Sequence, residues 1–478
     1  MGLNLRAVRG IRGGGMTIDQ QTNKKAFQIN LDTRIYGTFA EIGAGQEVAR
    51  RFFSVGGAAG TIAKTISAYD MTFSDAIYGT CARYVSRARL ATMLDHEYDL
   101  LLERLDGKVG GDRTFFVLAD TVAARSFRRH DESHGWMGIR FQKTPRAPHN
   151  EIIIHVRMFD SENIQQQEAL GIVGVNLLHG AFYLSHRPQN LLDSLTDDLK
   201  PGRIGIDMVR FSGPEFAGVD NRLMALHLVT GGLAQAALFR ADGEVVNAAD
   251  AFYKKPMVVE RGSFRPVTNL TNDMLDGALA LFEGDGAAAP GESEILMEIT
   301  TKNLLAGGAI DMRDFLDRVD MLGALGRTVL ISRHAEFHRL VHYLRIYTEK
   351  PIALPLGIPA LAEIFDPAYY GDLDGGILEG LGRLFKGDVR LYVYPWLDAA
   401  GGLVTCENFE PPPGLRHLYA HLRESGAIRP MHRFHEEFLK IRSRDVLAKI
   451  RAGDPAWRDA VPGGVADIIA RRRLFGHP

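Results

Sequence analysis

Short apolar runs recur along this chain with helical stretches between them, and that alternation constrains the fold more than any other feature. It is clearest after residue 294. Ile295 to Ile299 predicts a strand, Met312 to Leu325 a helix capped by Asp311, Thr328 to Ser332 a strand and Glu336 to Tyr347 a helix. Pro351 to Leu356 then predicts a strand, Leu361 to Phe365 and Gly376 to Phe385 helices, and Val389 to Tyr394 a strand. Strands that are apolar on both faces belong in parallel sheets, where crossover helices shield each face from water. The expected fold class is α/β and multi-domain, with a largely parallel sheet covered by helices and a helical C-terminal segment.

Upstream the pattern is less regular. Strands are expected at Gly37 to Gly43, Thr114 to Ala119, Glu151 to Met158, Arg203 to Val209 and Pro256 to Glu260. Helices are expected at Gln46 to Phe53, Gly60 to Ala68, Ala88 to Leu105, Ser161 to Ala169 and Leu223 to Phe239, the last with a break at Gly231-Gly232. Residues 1–30 read as a mobile polar lead-in, with Met16 as the expected physiological start after the Gly13-Gly14-Gly15 run. An N-terminal α/β region follows at 31–283, divisible into 31–150 and 151–283, and the small-residue stretch 284–294 reads as a linker. A Rossmann-like α/β domain is expected at 295–400 and a helical segment at 401–478, the latter entered near Pro411-Pro412-Pro413.

Charge excludes one class of partner. The 478 residues carry 56 basic and 58 acidic side chains, a net charge of −2, and no basic stripe of the kind nucleic acid requires. Arg471-Arg472-Arg473 reads as the solvated end of a helix. No run approaches the ~18 apolar residues of a membrane span, and Met1 to Arg6 has no secretory apolar core. Gly2 lacks the hydroxyl residue at position 6 that myristoylation needs, because Arg6 stands there. Cys81 and Cys406 are the two cysteines, too few for a disulfide framework or a zinc site. A reducing, cytoplasmic location is expected, with both thiols buried and inert.

Several stretches approach a known chemical pattern. Glu41-Ile42-Gly43-Ala44-Gly45-Gln46-Glu47 places G-x-G between a strand and a helix, as phosphate-binding turns do, but lacks the third glycine. Glu47 in the first turn would repel an anion, so a tight structural turn is the better reading. Gly56 to Lys64 resembles a phosphate loop but separates its glycine from its lysine, and reads as a packing face. His334, His338 and His342 recur at helical spacing and would share one face. They lack the H-E-x-x-H order and a third ligand, so a solvated or core-edge face is favoured over a metal site.

Ligands in open α/β sheets bind beyond the carboxyl ends of the strands. That rule selects Arg157, Asp207, Arg210, Lys254, Lys255, Arg265, Lys302, Asn303, Ser332 and Arg333 as ligand-binding residues. So many cations and hydroxyls suit an anionic small molecule, a phosphate or a carboxylate. The plain alternative is that loops at strand ends are polar in any protein. Acid–base work would fall to Asp207, Glu260 or His155.

Five segments carry a family likeness: GTFAEIGAGQEVARRFF (37–53), SAYDMTFSDAIYG (67–79), HGWMGIRFQ (134–142), QQEALGIVGVNLLHGAFY (166–183) and DGGILEGLGRLFKGDVRLYVYP (374–395). From Phe27 to Phe475 the chain resembles a bacterial family of about this length. Its members go under the labels nicotinate-nucleotide (or nicotinamide mononucleotide) adenylyltransferase and TonB-dependent receptor. The first label implies an H/T-x-G-H motif and a later I-S-x-S/T-x-x-R. Here the former is missing, and Ile331-Ser332 continues with His334 and Phe337 where a hydroxyl residue and arginine belong. The second implies a signal peptide and a barrel of alternating strands, against which the α/β pattern stands. The expectation is a metabolic enzyme binding a nucleotide or another phosphorylated or carboxylated small molecule, with no cofactor, metal or reaction class specified. The other reading is a non-catalytic assembly or regulatory protein that forms homo-oligomers through the helices at 415–451 and 464–473.

Overall fold

The computed structural model describes residues 20–43, 45–123, 133–305 and 308–478. The chain divides into two compact units. The first takes in the chain up to Ile152, Met158–Ile204 and Ser212–Ala217; the second takes in Ile153–Arg157, Gly205–Phe211 and Gly218–Pro478.

In chain order the first elements are α1 (Gln20–Leu31), β1 (Ile35–Gly43), α2 (Glu47–Val55), β2 (Ile62–Ile66), α3 (Met71–Tyr78), α4 (Arg87–Val109), β3 (Thr114–Ala123) and β4 (Ser133–Phe141). β5 (Asn150–Met158), α5 (Asn163–Tyr183), α6 (Pro188–Ser194) and β6 (Ile204–Ser212) complete the set. The six-stranded sheet runs β2-β1-β3-β4-β5-β6, with β1 parallel to both β2 and β3 and β4 antiparallel to β3. Ser86 caps α4, its hydroxyl accepting from Arg89 N. Residues 169–178 of α5 are all buried, as the middle of a central helix must be. Gly174 on α5 lets α2 approach: a Cβ there would lie 2.3 Å from Val48 Cγ2.

Two expectations are corrected in this unit. The stretch from Gly60 is the strand β2, not a helix. Ile62, Thr65 and Ile66 are β-branched, and pairing with β1 outweighs the small-residue composition. Residues 20–31 form a helix rather than part of a lead-in, with Ala26 and Ile29 fully buried. Lys25 ties that helix down by bonding Asn176 Oδ1 (2.7 Å) and Asp197 Oδ2 (2.8 Å). The expected start at Met16 lies outside the described residues.

The second unit continues with α7 (Asn221–Thr230), β7 (Ala236–Phe239), β8 (Val245–Val246), α8 (Ala248–Phe252), β9 (Met257–Arg261), α9 (Asn269–Gly284), β10 (Glu294–Thr300), α10 (Thr301–Leu305), α11 (Met312–Ala324) and β11 (Thr328–Ser332). Then come α12 (Phe337–Arg345), β12 (Ile352–Gly357), α13 (Ile358–Ile364), α14 (Gly376–Leu384), β13 (Val389–Tyr394), and a ribbon of β14 (Trp396–Leu397) and β15 (Leu403–Val404). α15 (Arg416–Glu424), β16 (Ile428–Pro430), α16 (Ser443–Ala452) and α17 (Gly463–Arg472) close the chain. The eight-stranded sheet has the order β16-β13-β12-β9-β10-β11-β7-β8. Six of its strands are parallel, and β7 and β8 add an antiparallel edge. β10 and β11 build out on one side of β9, whereas β12, β13 and β16 build out on the other. β12 meets β9 only at Ile352 and Ala353; Pro355, two residues on, has no N–H for the ladder.

The α/β class with helix-covered, parallel-containing sheets and a helical C-terminal segment is what the structure has. The finer divisions differ. The wound sheet begins with β9, so 284–294 is a connection between α9 and β10 inside one unit, not a boundary. Turn-forming composition marks a loop and does not say whether contacts cross it. The expected helix 223–239 stops at Thr230, and β7 takes its last residues. The C-terminal segment also contributes β16 to the sheet edge. No helix among the described residues is long and apolar enough to cross a membrane.

Candidate functional site

Ionisable residues set singly in apolar strands mark where this chain keeps polar chemistry inside. His155 interrupts Ile152-Ile153-Ile154 and Val156 in β5, and Asp207 stands between Ile206 and Met208 in β6. Both belong to the stretches that group with the second unit. His155 Nδ1 lies 2.6 Å from Asp207 Oδ1, with side chains 4% and 13% exposed. Asn247 joins them at the start of α8: its Oδ1 accepts from Ala249 N (2.8 Å), which fixes the amide orientation. Its Nδ2 therefore faces Asp207 Oδ1 (3.3 Å) and His155 Nδ1 (2.9 Å). An ionised carboxylate only accepts, so the short contact requires the proton on Nδ1 and leaves Nε2 as the basic nitrogen.

Arg157 lies two residues along β5, on the same strand face as His155. Its Nη1 donates to the Tyr347 hydroxyl (3.0 Å), and its guanidinium sits 5.9 Å from that ring's centre. Burial pushes the Tyr347 phenol up to about 12; the Asp207 charge adds to this and Arg157 opposes it. Tyr343, whose ring is 5.4 Å from that of Tyr347, is raised by burial and by the same carboxylate. Phe252, at the end of α8, packs against Tyr347 at 6.0 Å. α8 also contributes Asp250 and Ala251 to a cavity of about 380 Å³, whose wall includes Arg240, Lys255, Glu294 and Thr328. Lys255 Nζ bonds Glu294 Oε2 (2.9 Å), and Thr328 Oγ1 donates to Glu294 Oε1 (2.8 Å).

The ten residues selected from strand ends do not converge on one pocket. Arg157 and Asp207 come together around Tyr347 and His155. Arg210 is half-buried near the end of β6. Lys254 and Lys255 precede β9 and so lie at the opposite end of that strand from Arg261; Lys254 stacks over Tyr253 at 5.0 Å. At the carboxyl ends of β9, β10 and β11 the buried and half-buried cations are already matched. Arg265 pairs with Asp314, which also binds Arg318. Arg261 pairs with the fully buried Glu298, which accepts from the Ser332 hydroxyl too. Asn303 Nδ2 donates to Gly262 O (3.3 Å). Lys302 and Arg333 are exposed.

Three other motifs resolve structurally. The amides at the start of α2 are taken by the chain itself: Val48 N and Ala49 N donate to the Glu41 carboxylate (2.9 and 3.1 Å). A phosphate there would meet that carboxylate. Ala44, within the G-x-G, lies outside the described residues. In the loop-like stretch, Lys64 pairs with Glu97. Because α12 starts at Phe337, His334 precedes the helix and shares no face with His338 and His342. Burial lowers His334 to about 4, His338 is buried and also lowered, and His342 is exposed. No group of three or more potential ligands among the described residues could hold a metal ion.

Asn247 and Tyr347 were not selected from the sequence. Asn247 carries a helix-cap signal that reads as local structure, and nothing local distinguishes Tyr347.

No family model matches the chain, and no curated protein matches it. Among solved structures it is similar to the competence/damage inducible protein CihA of Agrobacterium tumefaciens, at 15% identity over 36% of this chain and 97% of that one, with a TM-score of 0.25. It is similar also to a competence-damaged protein (CinA) superfamily protein of Enterobacter cloacae, at 11% identity over 37% and 98%, TM-score 0.25. A third, from Escherichia coli, shows 14% identity over 36% and 94%, TM-score 0.23. Likenesses at this level carry no argument about the activity of this chain.

Proposed function

We propose that the protein is a metabolic enzyme that performs acid–base chemistry on a small phosphorylated or carboxylated molecule, nucleotides included. The observation that carries this reading is the His155–Asp207 contact at 2.6 Å, with Asn247 Nδ2 donating to the same Asp207 oxygen at 3.3 Å. In such a pair the carboxylate orients the imidazole and stabilises the imidazolium formed when Nε2 takes a proton. Arg157 supplies the positive charge that would meet an anionic substrate group, and Tyr347 holds that guanidinium in place. α8, which carries Asn247 at its start, also lines a cavity of about 380 Å³ through Asp250 and Ala251. The strand order of the eight-stranded sheet, Rossmann-like between β11 and β16, adds support by fold analogy alone. A cytoplasmic location is part of the proposal and is supported by two free thiols, Cys81 and Cys406.

The test is a thermal-shift screen of the full chain against nucleotides, sugar phosphates and short carboxylic acids, repeated with Arg157→Met and Asp207→Asn. A member of the panel should raise Tm, Arg157→Met should abolish that rise, and Asp207→Asn should keep binding while lowering turnover of the hit at least a hundredfold. A panel with no hit, or a hit indifferent to Arg157, overturns the reading.

A further inference from the structure

The first unit contains two acids that the proposed chemistry does not use. Glu41 in β1 and Asp120 in β3 are register partners on neighbouring parallel strands, so both side chains project from the same face. Both are buried, Asp120 completely. β1 lies between β2 and β3, so the chain leaves β1 on one side for β2 and returns on the other for β3. The pair thus stands at the carboxyl ends of strands where the winding direction reverses. Glu41 grips the first turn of α2 through Val48 N and Ala49 N. Asp120 has no hydrogen-bond partner of good geometry on either oxygen among the described residues. It is roofed by Gly45, where a Cβ would fall 1.9 Å from Oδ1.

The surroundings offer the pair little compensation. From β4, Asp120 faces Met137. α2 adds Glu47, which is paired with Arg50 (3.0 Å), while Arg51 on the same helix donates to Glu168 O of α5 (3.3 Å). Two ionised carboxylates in one buried place cost far more than one, so such pairs keep a proton.

We propose that Glu41 and Asp120 form a proton-holding pair that retains one proton above neutral pH, on Asp120, while Glu41 ionises and clamps the start of α2. The assignment follows from the hydrogen bonds. Two amides favour the charged form of Glu41, whereas nothing comparable favours a charged Asp120. The titration directions agree. Burial, then the Glu41 charge, push Asp120 well above the carboxylate range, with the Ile42 amide opposing weakly. Burial raises Glu41 to about 7 against the pull of its two amides. Both folded values exceed the unfolded ones. The stability these acids lend is therefore complete below an unfolded value of about 4 and is lost as pH rises, through about 7 for Glu41 and higher for Asp120.

The experiment compares folding equilibria of the full chain and its Asp120→Asn variant between pH 7 and 8.5. One retained proton makes the wild-type folding constant fall about tenfold more per pH unit than that of the variant. Equal slopes would overturn the proposal. If Asp120→Asn does not fold, ¹³C carboxyl titration of the wild type decides instead: Glu41 should titrate near neutrality and Asp120 stay protonated at pH 8. Two carboxyls already ionised at pH 6 would refute it.

Discussion

Replacing Arg261 by methionine should destabilise the second unit more than any surface change, because it is the only cation among the described residues bonded to a carboxylate with no exposure. Glu298 is fully buried in β10, and Arg261 meets it through Nε and through Nη2 (3.1 Å). The same guanidinium donates to His334 O (2.8 Å) and Ala335 O (2.6 Å) and lies 4.2 Å from the Phe337 ring centre. Methionine keeps the apolar stem and its contact with that ring, so the loss isolates charge and hydrogen bonding. What remains is a buried carboxylate held by one hydroxyl, from Ser332, and two carbonyls without these donors. Breaking a buried pair in this way costs about 3–5 kcal/mol. Removing both charges, as Arg261→Met with Glu298→Leu, should recover most of that, less about 1 kcal/mol for the stranded Ser332 hydroxyl. Hydrogen exchange of the β10 and β11 amides is the assay, since it reads this unit even if the two units unfold separately. A single-variant loss below about 1 kcal/mol, or a double variant no better than the single, would show that Glu298 finds water or another cation.

Two further outcomes are expected. Gly174→Ala should destabilise the α2–α5 crossing by about 1–3 kcal/mol from overpacking, reduced by up to about 1 kcal/mol of helix propensity, and Val48→Ala in the same chain should relieve it; urea midpoints measure both. His435 is held above its ordinary pKa by a hydrogen bond to Asp273 Oδ1 at 2.7 Å. The stability of that contact is therefore complete below about 6.5 and is lost as pH rises through the folded value, and Asp273→Asn should return the NMR titration of His435 to an ordinary histidine curve.

What the sequence alone determined is what depends on neighbours within a few positions. The apolar runs of β10 to β13 and the helices between them follow from periodicity, and Asp311 caps α11 as its position implies, accepting from Arg313 N and Asp314 N. Where two local preferences competed, the reading failed. The glycines before Ile62 suggested a helix face, yet pairing with β1 made a strand, and the polar composition of residues 20–31 concealed a helix anchored by Lys25. The site divides the same way. Of the acids and histidines set singly in apolar strands, His155 and Asp207 were selected from the sequence, Glu41 was read as part of a turn, and Asp120 and Glu298 were not selected, although each is a group that burial makes costly without a partner. Which partner each finds depends on strand order and crossing helices, separated by tens to hundreds of residues. Tertiary structure therefore decided that Arg261 and Arg265 are matched by Glu298 and Asp314, that His155 meets Asp207 and Asn247, and that Glu41 rather than a phosphate occupies the start of α2. A charge in a strand announces a need, and only the folded neighbourhood determines what meets it.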